Sequence, residues 1–202
     1  IYTPMQVADI FHMNVDICQL GMDQRKANVV ARELGPKLGF WRPICVHHHL
    51  LLGLAAPPKW PLTKEEARSL LSSMKMSKSK PETSIYIYDD PESIRRKIRK
   101  AFCPPKEIEY NPVLEYVKYI IFRERDSLQV RKSKRVGGGI EEYHSYEELA
   151  KDYSNGIIHP LDLKEAVAEC LIEILEPVRR YFSNVSEARE SLEVVMRAKV
   201  TR

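Results

Sequence analysis

The sequence lacks any long apolar run: none approaches the ~20 residues that a membrane-spanning helix requires, so we expect no membrane contact. It also lacks internal repeats, low-complexity tracts and a recognisable signal peptide. The first residue is Ile1 rather than Met, and we expect that an upstream part is missing. With 44% hydrophobic and 30% charged residues, the composition is that of an ordinary globular protein. Its 202 residues suffice for one full domain and a smaller one.

Cysteine is scarce, and the four that occur are scattered without a CxxC pair: Cys18, Cys45, Cys103 and Cys170. This spacing argues against a zinc site and against a disulfide framework, and it favours a reducing, cytoplasmic compartment. Three consecutive histidines, His47–His49, do not change the expectation of no metal, because neighbouring side chains on an extended segment point to opposite faces.

Positive charge is concentrated in one stretch. The net charge is only +4, yet residues 92–135 contain thirteen Lys or Arg against six Asp or Glu. Such a cluster can neutralise the phosphates of a nucleic acid. A solvated helix face explains the same pattern equally well, so the charge distribution permits a nucleic-acid partner without proving one.

The first 50 residues have the pattern of an α/β sheet. The predicted elements are a helix over 1–12, a strand at 17–20, a helix capped by Asp23 and running to 34, and a strand at 44–46. This strand–helix–strand order predicts the second half of a Rossmann-type parallel sheet. Because such sheets bind ligands at the carboxyl ends of their strands, Gly21 and His47 lie where a ligand is expected.

The rest of the chain is predicted to be mainly helical. A loop at 53–63, a short charged helix at 64–72 and a strand at 85–88 precede a helix capped by Asp89 and Asp90. Further helices are predicted at 92–102, 111–122, 145–153, 161–181 and 184–200, with Gly137–Gly139 as a turn or hinge between helices. The 161–181 helix has the clearest apolar stripe: Leu163, Val167, Cys170, Leu171, Ile174 and Val178. The fold class is therefore α/β plus all-α. The expected domains are an α/β half-domain over 1–90 and a helical domain over 91–202.

One short motif has a clear chemical use. Lys75, Met76, Ser77, Lys78 and Ser79 form the string KMSKS. Two lysines can stabilise the charge that builds on a departing pyrophosphate, while hydroxyls orient the phosphates. A basic surface loop would have the same composition, so the motif requires support from elsewhere in the chain.

That support comes from the first helix. Tyr2, Gln6 and Asp9 lie at i, i+4 and i+7, so they share a helix face and can converge on one small ligand. The string MDQRK, which includes Gln24, follows the first predicted strand. Taken with the KMSKS string, these residues resemble the class I tyrosyl-tRNA synthetases of the archaeal and eukaryotic type, over Tyr2 to about Phe182.

The resemblance implies a role for each matching residue. A buried Asp9 would accept the phenolic hydroxyl of tyrosine, and Tyr2, Gln6 and Gln24 would hold its ammonium group. Lys75, Ser77, Lys78 and Ser79 would be the catalytic residues, and Lys75, Met76 and Lys78 would bind ATP, which enters with Mg²⁺. The family's catalytic HIGH motif is absent, so we expect it upstream of Ile1.

Two C-terminal features resemble the family's anticodon-binding domain: the glycine pair Gly137-Gly138 followed by the segment 146–149, and a string near residue 160. The string that begins at His159 and includes Asp162 matches the segment that reads the first anticodon base, and single-stranded bases are well suited to such contacts. Asp162 is equally explained as a helix-start residue that the helix dipole favours. Where the family can place a stacking aromatic before the glycine pair, this chain has Val136.

The resemblance therefore implies a tyrosine–tRNA ligase that uses tyrosine, ATP and tRNA(Tyr) and that forms a homodimer. We expect Gln6, Asp9 and the KMSKS segment to face one cleft. A tryptophanyl-tRNA synthetase, which shares the fold and the lysine motif, is the alternative within the enzyme class. A non-catalytic tRNA-binding fragment or paralogue is the alternative outside it.

Overall fold

A computed structural model describes residues 1–63, 65–66, 70, 74–76, 80–134 and 137–198. Within it the chain divides into two compact units, Ile1–Leu50 and Leu51–Arg202. The predicted domain boundary at residue 90 stays a prediction. Of the predicted helix at 64–72, the greater part lies outside the described residues, as do Ser77, Lys78, Ser79 and Val136.

The first unit contains two helices and two parallel strands: α1 (Tyr2–His12), β1 (Ile17–Gly21), α2 (Arg25–Leu34) and β2 (Ile44–His48). The strands pair in register from Ile17 opposite Ile44 to Gly21 opposite His48. The predicted strand–helix–strand order is therefore confirmed. The core of this unit consists of apolar side chains from α1, β1 and α2: Val7, Ile10, Phe11, Cys18 and Ala31.

The boundaries of α2 follow from local sterics. The helix ends at Gly35, where a Cβ atom would lie 2.7 Å from the Trp41 carbonyl oxygen and 2.9 Å from that of Ala31. Only glycine allows this close approach, and Pro36 follows it. The predicted cap at Asp23 is wrong, because Asp23 lies inside a 3-10 turn, Met22–Gln24, and Gln24 occupies the N-cap position.

The second unit contains five helices among the described residues: α3 (Pro91–Lys100), α4 (Pro112–Tyr116), α5 (Tyr146–Asn155), α6 (Pro160–Asn184) and α7 (Ser186–Arg197). α4 continues as a π-helical turn, Val117–Ile121, and a further helical turn, Phe122–Glu124. All five predicted helices are thus confirmed in position. The predicted cap of α3 is also confirmed, since the Asp90 carboxylate accepts the Ser93 N–H at 2.9 Å.

The apolar stripe predicted on α6 faces the core of the second unit. Leu163, Val167 and Leu171 are at most 2% exposed, and they pack with Ile94 and Ile98 of α3. A helix with apolar residues at this spacing buries one face, and each fully buried aliphatic side chain contributes about 1.5–3 kcal/mol of transfer free energy. The contact fixes α3 against α6.

The prediction that the chain is almost wholly helical after Pro91 is wrong at one place. Strands β3 (Leu128–Arg131) and β4 (Ile140–Tyr143) form an antiparallel hairpin. The three glycines at 137–139 lie in the connection between these strands, not between helices, and their φ values of 95°, 68° and 94° suit glycine. In β3, buried Leu128 and Val130 alternate with exposed residues. The surrounding basic residues obscure this two-residue period in the sequence.

The predicted strand at 85–88 is also wrong, because this segment forms a turn. The Asp89 N–H donates to the Tyr86 carbonyl at 3.0 Å, and the Asp89 carboxylate accepts the Tyr86 N–H at 2.9 Å. An aspartate side chain that bonds nearby backbone competes with a sheet ladder for the same groups. Isoleucine and tyrosine have the propensity for a strand, but here a local polar contact decides the conformation.

Candidate functional site

The first unit contains a cavity of about 390 Å³ between α1 and β1. All four residues predicted to bind an amino acid line it: Tyr2, Gln6, Asp9 and Gln24. The remaining lining is mainly apolar and comes from the end of α1 and from β1: Ile10, Met13, Val15, Ile17, Cys18, Gln19 and Leu20. A mainly apolar wall with a few convergent polar groups is typical of a small-molecule site.

Gln6 is the polar residue best placed to bind a ligand. Its Oε1 atom is buried, and it has no hydrogen-bond partner among the residues that the structure describes. A buried acceptor without a partner costs free energy, so such atoms are rare unless a ligand or water satisfies them. Because an amide oxygen accepts hydrogen bonds, the group that it lacks is a donor such as an ammonium.

Asp9 differs from the expectation in one respect. The sequence analysis assumed a buried carboxylate, whereas Asp9 is exposed at the edge of the cavity. Tyr2 is exposed as well, at 71%. The desolvation that a buried Asp9 carboxylate would undergo is therefore not present in this unit.

The histidines at the end of β2 have separate surroundings. The Nε2 atom of half-buried His47 lies 3.1 Å from the amide Nδ2 of fully buried Asn28 on α2, and the exposed His48 ring lies 3.2 Å from the His49 carbonyl oxygen. Across the described ranges, no group of three His, Cys, Asp or Glu side chains could hold a metal ion. The contact with Asn28 fixes the orientation of the His47 ring at the carboxyl end of its strand.

In the second unit, the start of the KMSKS segment is fixed by backbone hydrogen bonds. Lys75 forms an antiparallel bridge with Leu52. The Met76 N–H donates to the Leu51 carbonyl at 2.8 Å, and the Gly53 N–H donates to that of Met74 at 2.7 Å. Met76 also packs against the core. Of the predicted phosphate-binding residues, the structure thus places Lys75 and Met76.

The two predicted anticodon residues lie at the start of α6. His159 is the N-cap, and its Nδ1 atom accepts the Leu161 N–H at 3.2 Å. Asp162 is only 8% exposed, and its Oδ2 atom accepts the Ser133 N–H at 2.9 Å. The carboxylate therefore links the helix to the segment that follows β3. It also lines two cavities, of about 710 and 480 Å³.

The basic residues of 92–135 are less available to phosphate than their number suggests. Arg95 forms a bidentate ion pair with Glu169 at 2.6 and 2.9 Å, and Arg96 pairs with Glu82. Lys97 is 4% exposed and cannot reach a phosphate. The Glu82 and Glu169 carboxyls have lowered pKa values because each accepts hydrogen bonds from its arginine.

Sequence reasoning missed most of the wall of the 710 Å³ cavity. Arg125 and Arg131, which belong to the predicted basic stretch, contribute to it beside Asp162, and so does Gln129, which was not predicted. Gln129 and Arg131 are the exposed positions of β3, so the alternation of that strand was the signal that could have identified them. The mixture of arginines with the carboxylates of α6 suits a polar, hydrogen-bonding ligand.

Comparison with protein families places these features in context. The family model described as tRNA synthetases class I (W and Y) matches residues 1–176. The tyrosine–tRNA ligase of Pyrococcus horikoshii is 51% identical over 213 aligned residues, which include 100% of this chain and 56% of that protein. The chain therefore spans little more than half the length of the curated relatives that it matches.

Solved structures give the same result. The tyrosyl-tRNA synthetase from Pyrococcus horikoshii, complexed with L-tyrosine, matches 94% of this chain and 54% of its own with a TM-score of 0.83 and 52% identity. The tyrosyl-tRNA synthetase from Aeropyrum pernix matches 96% of this chain and 52% of its own, with a TM-score of 0.77 and 44% identity.

Proposed function

Since the chain belongs to the class I tRNA synthetases (W and Y), we propose that it is part of a tyrosine–tRNA ligase. The full-length protein activates tyrosine with ATP and transfers it to tRNA(Tyr). The observation that carries this proposal is the convergence of Tyr2, Gln6, Asp9 and Gln24 on one cavity, where the Gln6 oxygen is buried without a partner among the described residues. In fold terms, we propose half of a Rossmann domain followed by a helical anticodon-binding domain.

Binding of tyrosine follows from the donors and acceptors of the cavity. The substrate ammonium donates to the Gln6 oxygen, with Tyr2 and Gln24 beside it, and its phenolic hydroxyl donates to the Asp9 carboxylate. The apolar side chains of β1 cover the ring. The bonds at both ends are charge-assisted, since either the ammonium or the Asp9 carboxylate is ionised, so together they determine how the amino acid is oriented.

The KMSKS segment supplies positive charge to the reaction. When the tyrosine carboxylate attacks the α-phosphorus of ATP, negative charge builds on the departing pyrophosphate. Lys75 and Lys78 stabilise this charge, and Ser77 and Ser79 orient the phosphates. Met76, whose N–H is bonded to the Leu51 carbonyl, anchors the start of the segment beside the ATP. Catalysis then depends on position and electrostatics, and it requires no protein nucleophile.

Mg²⁺ enters with ATP in this proposal. Mg²⁺ favours substrate phosphates and water, with one or two carboxylates, over a complete cage of protein ligands. When bound, Mg²⁺ neutralises part of the phosphate charge.

Recognition of tRNA(Tyr) is assigned to the second unit. Asp162 has one carboxylate oxygen bonded to Ser133 N–H and a second oxygen that can accept from the edge of an anticodon base. His159 lies three residues before it at the helix cap. The roles of Asp162 in the helix start and in base recognition are compatible.

The remaining expectations stay proposals: a cytoplasmic location and a homodimer. Of the helices in the described ranges, none is both long and apolar enough to cross a membrane.

The proposal is tested with the full-length protein by amino-acid-dependent exchange between ATP and pyrophosphate. Exchange that depends on tyrosine, followed by charging of tRNA(Tyr), is the expected result. Exchange that depends on tryptophan would show that the protein is a tryptophanyl-tRNA synthetase instead. Tight binding of tRNA without exchange for either amino acid would identify a non-catalytic tRNA-binding protein and refute the proposal.

A further inference from the structure

The start of the KMSKS segment and the chain that follows it are attached to the same short stretch of chain. At the start of the segment, Met76 and Lys75 pair with Leu51 and Leu52. On the downstream side, the Thr83 carbonyl accepts the Leu54 N–H at 2.8 Å. The Leu54 carbonyl in turn accepts the Phe102 N–H, just beyond the end of α3, at 2.7 Å. α3 is therefore connected to the downstream side of the motif.

A buried lysine of α3 makes a second and stronger connection to that downstream side. The Lys97 ammonium donates to the Ser84 carbonyl at 2.9 Å and to Asp89 Oδ2 at 2.6 Å. It also lies 4.8 Å from the centre of the Tyr86 ring. The same Asp89 oxygen accepts the Tyr86 N–H, so one ammonium and one carboxylate fix the whole turn from Ser84 to Asp89.

The base of this connection is rigid. Ile94 and Ile98, on either side of Lys97 along α3, are completely buried in the core of the second unit. Lys97 and Asp89 are themselves 4% and 8% exposed. A neighbouring ion pair, Arg96 with Glu82, acts on the same segment from the surface. Displacement of the segment therefore requires either movement of a packed helix or loss of a buried ion pair.

We propose that Lys97 is a positioning residue for the KMSKS segment, and this inference rests on the proposed function. Lys97 is too deeply buried to reach a phosphate, and its contacts are to the chain that leaves the motif. It holds that chain, which bonds through Thr83 and Leu54 to the stretch that pairs with Lys75, so that Lys75 meets the triphosphate in one orientation. Rate depends steeply on such orientation, since small misplacements at a reacting centre cost large factors.

Stability alone is a weak reason to retain such a pair. Replacement of both partners of a buried ion pair by apolar residues of similar volume is often neutral or stabilising, whereas removal of one partner leaves an uncompensated charge. The single and double substitutions therefore separate the two roles of Lys97. Only the double substitution removes the link to Ser84 without stranding a charge.

The experiment uses the full-length protein with three variants: Lys97→Met, Lys97→Met with Asp89→Asn, which removes the charge but keeps an acceptor for the Tyr86 N–H, and the control Arg95→Met. Arg95 lies on the same helix, but it pairs with Glu169 of α6 rather than with the segment after the motif. Thermal unfolding, tyrosine-dependent exchange kinetics and hydrogen exchange of the 80–89 amides are measured for each. Wild-type activity tests the proposed function separately from the inference.

We expect the double variant to recover most of the thermal stability that the single variant loses. Its kcat for exchange stays lower by about ten- to a hundred-fold, while the KM for tyrosine changes by less than about two-fold. The 80–89 amides exchange faster than in wild type, and Arg95→Met changes none of these quantities. If the double variant has wild-type kcat, or if its 80–89 amides stay protected, the positioning role is wrong. A wild-type protein without tyrosine-dependent exchange would instead refute the proposed function.

Discussion

Substitution of Gln6 by leucine should weaken tyrosine binding without destabilising the protein. A hydrogen bond to a charged group contributes about 1.5–3 kcal/mol, so loss of the contact with the ammonium should reduce affinity by about 10- to 150-fold. The same substitution should increase the stability of the unliganded protein. The Gln6 oxygen is buried without a partner among the described residues, and such an orphan acceptor costs about 1–3 kcal/mol.

The two effects have opposite signs, and this makes the prediction specific. Titration calorimetry of the full-length protein with tyrosine gives the affinity, and chemical denaturation gives the free energy of unfolding. Gln129→Leu is the matched control, because Gln129 is an exposed glutamine on β3 that does not line the 390 Å³ cavity of the first unit. We expect the control to bind tyrosine as wild type does.

Unchanged tyrosine affinity in Gln6→Leu would refute the assignment of Gln6 to the ammonium. A large loss of stability would refute a different step, namely that the oxygen is unsatisfied before the ligand binds. Loss of both affinity and stability would mean that Gln6 supports the cavity wall rather than the ligand.

Three further predictions concern the second unit. Leu163→Ala, at a completely buried position of α6, should cost about 2–5 kcal/mol of unfolding free energy in urea denaturation. Asp90→Asn keeps the helix cap but removes the charge. Hydrogen bonds from Ser93 hold the pKa of Asp90 below its ordinary value, so above about pH 4 the wild-type protein should have a higher free energy of unfolding than the variant. This difference should disappear as the pH falls through the lowered pKa. Urea denaturation at pH 7 and pH 3 checks this, and an equal difference at both values would contradict it. Asp162→Asn retains an acceptor for the Ser133 N–H, so the fold and the rate of exchange should not change. It removes the carboxylate proposed to accept from the anticodon base, so charging assays should show a KM for tRNA raised by about ten-fold. A change in exchange alone would place Asp162 outside tRNA recognition.

The sequence predicts those elements whose cause is local. The helix at α1, the Asp90 cap and the apolar stripe of α6 each follow from residues a few positions apart, and all three are confirmed. The grouping of Tyr2, Gln6 and Asp9 is of the same kind, since helical spacing alone brings them to one face. Gln24, which the family resemblance assigned to the same ligand, lines the same cavity.

Features that depend on distant partners were not predictable. The turn at 85–88 has strand-forming residues, but Asp89 and Lys97 impose a different conformation. Strand β3 lies within a strongly basic stretch, so its short alternation is difficult to distinguish from a solvated helix. The burial of Lys97 is the clearest case. Lysine is almost never fully buried unless it is paired, and its partner is identified only by the fold.

Asp162 shows how one residue can serve structure and recognition together. Its position at the start of α6 favours a negative charge, as the sequence predicts. The bond from Ser133 N–H adds a constraint from outside the helix, because it fixes one carboxylate oxygen and thereby the orientation of the other. A side chain that must recognise a base edge benefits from such preorganisation, since less entropy is lost when the base binds. The structural contact therefore supports the proposed recognition role rather than competing with it.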